Sequence, residues 1–115
     1  MYTIYHNTRC KVSRAVLELL IKTGQPVEII DYMSKKITRP ELEKLLIELQ
    51  MRPFDLVRTQ EDLYKKEYKG KTFSNEEWVH ILCNNSKLIE RPIVKKGYQA
   101  RLCRPAEIVN ELIGK

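Results

Sequence analysis

Cys10 is the residue of this chain whose surroundings are best suited to chemistry. It follows a polar loop and directly precedes a segment with helical periodicity. A thiol at a helix N-terminus lies at the positive end of the helix dipole, close to unpaired backbone N–H groups that favour the thiolate. Arg9, Lys11 and Arg14 add positive charge nearby, and a protonated His6 would add more. Because the thiolate is the nucleophilic form of cysteine, these features predict a reactive thiol.

Ser13 stands where a C-x-x-C enzyme would carry its resolving cysteine. A serine in the first helical turn can donate a hydrogen bond to a thiolate, but it cannot resolve a disulfide. The alternative for Cys10 is a small buried residue that happens to precede a helix, and the cationic surroundings argue against it. We interpret Cys83, within a predicted helix, and Cys103, at the end of a predicted strand, as structural, since buried thiols are commonly inert.

The elements that must position Cys10 begin with a short strand over Tyr2–Tyr5, which is rich in β-branched and aromatic residues. A helix follows from Lys11 to Gly24, where glycine serves as the C-cap. Val27–Ile30 is predicted to be a second strand, which makes a βαβ unit with a right-handed crossover. The buried face of the helix is predicted from apolar residues spaced at helical intervals: Val12, Val16, Leu19 and Leu20.

The middle of the chain carries helix signals and no strand signal. Thr38 and Glu41 form one capping-box pattern, and Ser74 and Glu77 form a second. Pro53 begins a short turn or helix, and the charged stretch from residue 60 to residue 71 is predicted to be exposed and irregular or weakly helical.

The C-terminal part returns to strands. We predict a strand over Arg91–Lys95, a turn at Lys96–Gly97 and a paired strand over Tyr98–Cys103. Pro105 is predicted to occupy the first position of a last helix. The apolar side of that helix is predicted to consist of Ile108, Val109, Leu112 and Ile113.

This order predicts an α/β thioredoxin-like fold, a mixed four-stranded sheet flanked by helices with a helical insertion. We expect one domain over residues 1–115, with the insertion at about residues 34–88. A length of 115 residues suits one compact, monomeric domain, and every window long enough to span a membrane contains charges. Three cysteines, no C-x-x-C and no signal-peptide pattern favour a reducing, cytoplasmic compartment. The chain shows no zinc signature, and we expect no metal and no bound cofactor.

The net charge of +6 is compatible with a nucleic acid, an acidic protein or a small oxyanion. Direct nucleic-acid binding is disfavoured, because the basic residues are dispersed and no recognition motif is present.

Several segments resemble the glutaredoxin-dependent arsenate reductases. Residues 6–14, H-N-T-R-C-K-V-S-R, are similar to their active-site stretch H-N-P-x-C-G-T-S-R. Residues 90–94, E-R-P-I-V, resemble N-R-P-I-V, and residues 101–105 match R-L-C-R-P. Residues 56–58, L-V-R, stand where that family has L-L-R. The similarity runs in order along nearly the whole chain.

The resemblance implies that Cys10 attacks arsenate, that His6 helps to depress its pKa and that Ser13 supports the thiolate. It also implies that glutathione, or another low-molecular-weight thiol, reduces the resulting thiol-arsenate adduct, and that glutaredoxin then clears the mixed disulfide. The oxyanion-binding arginines would be Arg58, Arg91 and Arg104. Planar guanidinium groups suit this role because they bind anionic oxygens bidentately. The Arg91–Pro92 bond is expected to be cis, as is usual in this fold.

The chain departs from that family's pattern at Thr8, which replaces proline, and at Lys11 and Val12, which replace glycine and threonine. These departures and the basic charge motivate an alternative, a regulator of the Spx type that binds RNA polymerase without catalysis. Those regulators typically carry C-x-x-C, which is absent here, so the sequence favours the reductase.

Overall fold

The computed structural model describes residues 1–114. Contacts within the chain divide it into two compact units. The first unit contains residues 1–35 and the C-terminal stretch from Arg91, and the second contains Lys36–Glu90. The expected single domain with an insertion at about residues 34–88 stays a prediction.

A four-stranded sheet forms the centre of the first unit, with the strand order β2-β1-β3-β4. The first strand, β1, pairs in parallel with β2 and antiparallel with β3, and β3 pairs antiparallel with β4. The predicted mixed sheet is therefore confirmed. The strand bounds are Tyr2–His6 for β1, Val27–Asp31 for β2, Ile93–Lys96 for β3 and Gln99–Leu102 for β4.

The helix α1, Lys11–Lys22, connects the two parallel strands. Its buried residues, Ser13, Val16 and Leu20, lie on one face at helical spacing. Gly24 follows the helix with φ +77°, a left-handed conformation that glycine adopts without a steric cost. The buried cluster that holds α1 against the sheet includes Tyr2, Ile4, Val16, Leu20, Val94, Cys103, Val109 and Leu112.

The hairpin between β3 and β4 turns one residue later than predicted. Lys96 is still paired, with Gln99, so the turn consists of Gly97 and Tyr98. Gly97 has φ +63°, as two-residue hairpin turns require. The prediction of a turn at Lys96–Gly97 was wrong because a lysine can extend the strand and only the glycine needs the unusual backbone angle.

The last helical segment also differs from the prediction. Pro105 has extended backbone angles and precedes the segment instead of occupying its first helical position. A 3₁₀ helix over Ala106–Val109 is followed by α5, the short last α-helix of the chain, over Asn110–Ile113. A 3₁₀ helix repeats every three residues, so a sequence pattern read at the α-helical period could not separate the two pieces.

The second unit is helical, as predicted. Its helices are α2, Arg39–Leu49, α3, Asp62–Glu67, and α4, Asn75–Asn84. Both predicted capping boxes are present, at Thr38 for α2 and at Ser74 for α4. Short 3₁₀ helices cover Pro53–Leu56 and Ser86–Leu88.

The stretch from residue 60 to residue 71 is weakly helical, as predicted, but it is not uniformly exposed. Tyr64 and Tyr68 are half-buried, because their rings pack beside Trp78 at centroid distances of 6.4 and 5.9 Å. Phe54 and Phe73 complete this aromatic group around Trp78, at 5.4 and 5.0 Å. Aromatic side chains spread among charges therefore supply part of the core of this unit.

The two neighbouring residues Leu20 and Ile21 allow a direct test of the burial of α1. Leu20 is 0% exposed and Ile21 is 59% exposed. We expect Leu20→Ala to lower the free energy of unfolding by about 2–5 kcal/mol, because it leaves a cavity. Ile21→Ala should change it by less than about 0.5 kcal/mol. Urea unfolding followed by circular dichroism measures both, and equal losses would contradict the placement of this helix.

Candidate active site

Cys10 lies in the loop that joins β1 to α1, at the carboxyl end of the strand. It is the N-cap residue of α1, with extended backbone angles (φ −94°, ψ 122°) and only 9% of its surface exposed. Its side chain makes no capping hydrogen bond.

Asn7 organises this loop through three hydrogen bonds. Its backbone N–H donates to Ser13 Oγ at 3.1 Å, and its carbonyl accepts from the backbone N–H of Cys10 at 3.1 Å. Its side-chain Oδ1 accepts from the backbone N–H of Arg9 at 2.9 Å. Asn7 is only 7% exposed. These bonds fix the path of the chain on both sides of Cys10.

The cysteine sulfur receives hydrogen bonds from two arginines in the C-terminal part of the chain. Arg104 Nη1 lies 3.6 Å from Cys10 Sγ, and the Arg91 side chain also donates to this sulfur. Burial on its own would raise the pKa of Cys10. The backbone N–H groups of Ser13 and Val12 and the two guanidinium groups outweigh that effect and lower the pKa to about 7. A large fraction of the thiol is therefore ionised at neutral pH, as the helix N-terminus predicts.

The β3–β4 hairpin explains why two arginines so far from Cys10 in sequence reach it together. Arg91 lies two residues before β3, and Arg104 lies two residues after β4. The pairing of Ile93 with Leu102 places these positions side by side. Arg104 Nη1 also donates to the carbonyl of Arg91 at 3.2 Å. This bond fixes the guanidinium group of Arg104 relative to the backbone of Arg91. Both arginines precede a cis peptide bond to proline; the bond at Arg91 was predicted and the one at Arg104 was not.

His6 contacts Ser13 instead of Cys10. His6 Nδ1 lies 2.6 Å from Ser13 Oγ, and His6 is 4% exposed. Burial lowers the pKa of His6, Asp31 partly opposes this effect, and Arg14 adds to it. The imidazole is therefore neutral at neutral pH and adds no positive charge beside the thiol. Ser13, which His6 contacts, is the residue whose backbone N–H contributes to lowering the pKa of Cys10.

Arg58 belongs to the second unit, where it is held by two carboxylates. Its Nη1 lies 3.1 Å from Glu90 Oε1, and its Nε lies 3.8 Å from Glu61 Oε2. Arg58 is 8% exposed, and its backbone N–H donates to the carbonyl of Leu88 at 2.8 Å. The structure thus brings Arg91 and Arg104 to the Cys10 sulfur, and it shows Arg58 in contact with Glu61 and Glu90.

The other two cysteines differ from Cys10 in the direction of their pKa shift. Burial raises the pKa of Cys103 to about 12, with a smaller contribution from Glu111. Burial also raises the pKa of Cys83 in α4. Both are free thiols. A raised pKa keeps these thiols protonated at neutral pH, and their interpretation as structural residues stays a prediction.

No group of three or more histidine, cysteine, aspartate or glutamate side chains within residues 1–114 could hold a metal ion. None of the helices in that range is both long enough and apolar enough to cross a membrane.

Known proteins are similar to this chain in sequence and in structure. The model of the ArsC family matches residues 5–112. The chain belongs to the ArsC family. An arsenate reductase of Yersinia enterocolitica is 34% identical over 112 residues, which cover 96% of this chain and 79% of that protein. YfgD, an uncharacterized protein of Escherichia coli K12, is 39% identical over 113 residues, which cover 96% of this chain and 95% of YfgD.

The solved structures agree with the family assignment. The structure of an arsenate reductase from Vibrio cholerae superposes with a TM-score of 0.91 at 36% identity, covering 96% of this chain and 95% of that chain. The thioredoxin-like α/β fold that was predicted for this ArsC-family chain is confirmed.

Sequence reasoning missed Asn7 and Asp31 at this ArsC-family site. Asparagine often forms turns in which its side-chain oxygen accepts from the backbone N–H two residues later. The role of Asn7 was therefore detectable in principle. Asp31 influences His6 because the two residues are register partners at the ends of β2 and β1. That contact depends on strand pairing, which the sequence did not resolve residue by residue.

We expect Asn7→Ala to raise the pKa of Cys10 above its value of about 7, because the loop loses the bond that orients it. The pH dependence of alkylation by iodoacetamide measures this pKa. Thr8→Ala is the matched control, since Thr8 is exposed and its hydrogen bond from Arg14 uses only the backbone carbonyl. An unchanged alkylation midpoint in Asn7→Ala would contradict the role given to this residue.

Proposed function

We propose that this protein is an arsenate reductase in which the Cys10 thiolate attacks arsenate and external thiols supply the electrons. The observation that carries the proposal is the meeting of two guanidinium groups at one sulfur whose pKa is about 7. The names of the arsenate reductases of Yersinia enterocolitica and Vibrio cholerae support the choice of substrate.

In the proposed first step, the thiolate of Cys10 forms a bond to the arsenic of hydrogen arsenate. One arsenic–oxygen bond breaks, and hydroxide leaves. The product is a thiol-arsenate adduct in which arsenic is still pentavalent. Two anions must approach each other in this step, so positive charge at the sulfur lowers its barrier.

In the proposed second step, the thiol of glutathione attacks the Cys10 sulfur of the adduct. The sulfur–arsenic bond breaks, and its electron pair stays on arsenic, which becomes trivalent. The thiol proton passes to an arsenic-bound oxygen, and arsenite leaves. A mixed disulfide between Cys10 and glutathione remains. Two thiols have been oxidised to one disulfide and arsenic has gained two electrons, so the step balances. Glutaredoxin then reduces the mixed disulfide, because Ser13 cannot do so.

Arg91 and Arg104 have separate parts in this proposal. Arg104 donates to the sulfur at 3.6 Å and stabilises the thiolate before arsenate arrives. The Nε of Arg91 is buried without a hydrogen-bond partner within residues 1–114, although it is a strong donor. A buried donor of this kind is costly unless a ligand satisfies it, and an arsenate oxygen would do so.

Arg58 is proposed as the third oxyanion-binding arginine, on the basis of the resemblance in residues 56–58. Its guanidinium already contacts Glu61 and Glu90. An oxyanion that uses Arg58 would have to share it with, or displace it from, these carboxylates. We therefore expect Arg58 to contribute less to arsenate binding than Arg91.

Loss of the thiol tests the mechanism. We expect Cys10→Ser to abolish arsenate reduction in an assay with glutathione and glutaredoxin, because an un-ionised alcohol is a far weaker nucleophile than a thiolate and cannot form the mixed disulfide. Cys83→Ser is the control and should keep the wild-type rate, since burial keeps that thiol protonated. Wild-type turnover by Cys10→Ser would contradict the proposal. Capture of RNA polymerase without arsenate turnover would favour the regulator of the Spx type instead.

Replacement of Arg91 by lysine tests the role of its planar guanidinium. Arg91→Lys keeps the charge but loses the fork that binds two oxygens. We expect kcat/KM for arsenate to fall by about tenfold or more, which corresponds to the loss of one charge-assisted hydrogen bond. Arg101→Lys is the matched control on the same hairpin, because Arg101 pairs with Glu111 at 3.0 Å. Equal activity of Arg91→Lys and the wild type would show that Arg91 does not bind arsenate.

A further inference from the structure

A polar cavity of about 310 Å³ lies beside the reactive loop in the first unit. It is lined by Asn7, Thr8, Arg9, Asp31, Met33 and Ser34. We propose that this cavity binds the resolving thiol, and that the thiol is a zwitterionic peptide of the glutathione class whose carboxylate pairs with Arg9 and whose ammonium pairs with Asp31. This inference rests on the proposed function, because it names the site of the second substrate.

The position of the cavity in the fold suits a substrate site. One wall is the loop that follows β1, and the other is the loop that follows β2. The two strands are parallel and end together, since His6 is the register partner of Asp31. In α/β proteins, ligands commonly bind in the crevice outside the carboxyl ends of parallel strands. Arg9 directly precedes Cys10, so the Cα atoms of these residues are only about 3.8 Å apart.

Both walls are held in place by hydrogen bonds before any ligand binds. On the β2 side, Asp31 Oδ1 accepts from the backbone N–H of Met33 at 3.1 Å, and Asp31 Oδ2 accepts from Ser34 Oγ at 2.9 Å. On the β1 side, Asn7 Oδ1 accepts from the backbone N–H of Arg9 at 2.9 Å. A site that is ordered in advance loses less entropy when a ligand binds.

The charges of the two walls differ, and this difference selects the class of thiol. Arg9, which is exposed, is a cationic residue of one wall, whereas Asp31 is an anionic residue of the other. A carboxylate has about four lone-pair positions, so the turn bonds of Asp31 leave it able to accept from an ammonium. Met33 is 44% exposed and offers an apolar surface to the body of the ligand. Glutathione carries an ammonium, two carboxylates and an apolar stem, which matches this set.

The size of the cavity is also consistent with a tripeptide. Pockets for small ligands usually span roughly 300–1,000 Å³, so a cavity of about 310 Å³ suits a ligand at the small end of the range. A peptide anchored here would hold its thiol near the Cys10 sulfur and would raise the effective concentration for attack.

The test uses thiol exchange at Cys10 and does not involve arsenate. In a Cys83→Ser background, Cys10 is converted to its mixed disulfide with thionitrobenzoate. An added thiol attacks the Cys10 sulfur, and released thionitrobenzoate is followed by its absorbance. Glutathione is compared with 3-mercaptopropionate, which has the same net charge but no ammonium, and with neutral 2-mercaptoethanol.

Asp31→Asn gives the decisive result, because two explanations predict opposite signs. Asparagine keeps the oxygen that accepts from the backbone N–H of Met33, and its amide nitrogen can donate to Ser34 Oγ where Asp31 Oδ2 accepted, so the turn is preserved. Without a site, removal of a negative charge should speed attack by any anionic thiol. With the proposed site, glutathione should react about fivefold more slowly, the loss expected for one exposed ion pair, while 3-mercaptopropionate is not slowed. Glu28→Gln, an equal charge change on the same strand, is the control.

Arg9→Gln provides the second arm. It should slow glutathione by about fivefold and change the rate with 2-mercaptoethanol by less than twofold. Lys22→Gln, at the other end of α1, is the matched control. Faster exchange of both anionic thiols in Asp31→Asn, or unchanged exchange of glutathione in both variants, would overturn the site. Selective slowing of glutathione in a protein that does not reduce arsenate would support the site and refute the proposed function.

Discussion

A thiolate that attacks an oxyanion must bring two negative charges together, and this constraint governs the first unit of the protein. A free cysteine would be mostly protonated at neutral pH, and a free thiolate would repel its substrate. The contact of 3.6 Å between Arg104 Nη1 and Cys10 Sγ addresses both difficulties. The same guanidinium group lowers the pKa of the thiol and provides positive charge where the anion must arrive.

The fold serves this contact with elements from both ends of the chain. The β1–α1 connection supplies the sulfur and the backbone N–H groups of the first helical turn, and the β3–β4 hairpin supplies the two arginines. The strands β1 and β3 are neighbours in the sheet, so residues separated by more than 80 positions meet without a long loop. The buried core beneath α1 keeps the helix N-terminus fixed with respect to the sheet. The packing of α1 and the positive charges of the arginines therefore together determine the environment of the Cys10 sulfur.

Sequence patterns predicted those parts of the fold and the site that depend on residues close together in the chain. The position of Cys10, the buried face of α1 and both capping boxes follow from periodicity and short-range hydrogen bonds. The contact of Ser13 with His6, and that of Arg58 with Glu90, depend on side-chain packing that no local pattern encodes. The arginine motifs identified Arg104 through a resemblance, but only the register of the hairpin explains why it lies at the sulfur.

The central claim is that the backbone N–H groups at the start of α1 and the two arginines together keep Cys10 ionised, and a direct titration of the thiolate tests it. The absorbance of the thiolate near 240 nm, measured against pH in a Cys83→Ser background, reports the pKa of Cys10 without a competing reagent. The account predicts a midpoint of about 7 and a clear upward shift when Arg91 and Arg104 are both replaced by methionine. A midpoint at the ordinary value for cysteine, about 8.5, or a midpoint that both replacements leave unchanged, would contradict it.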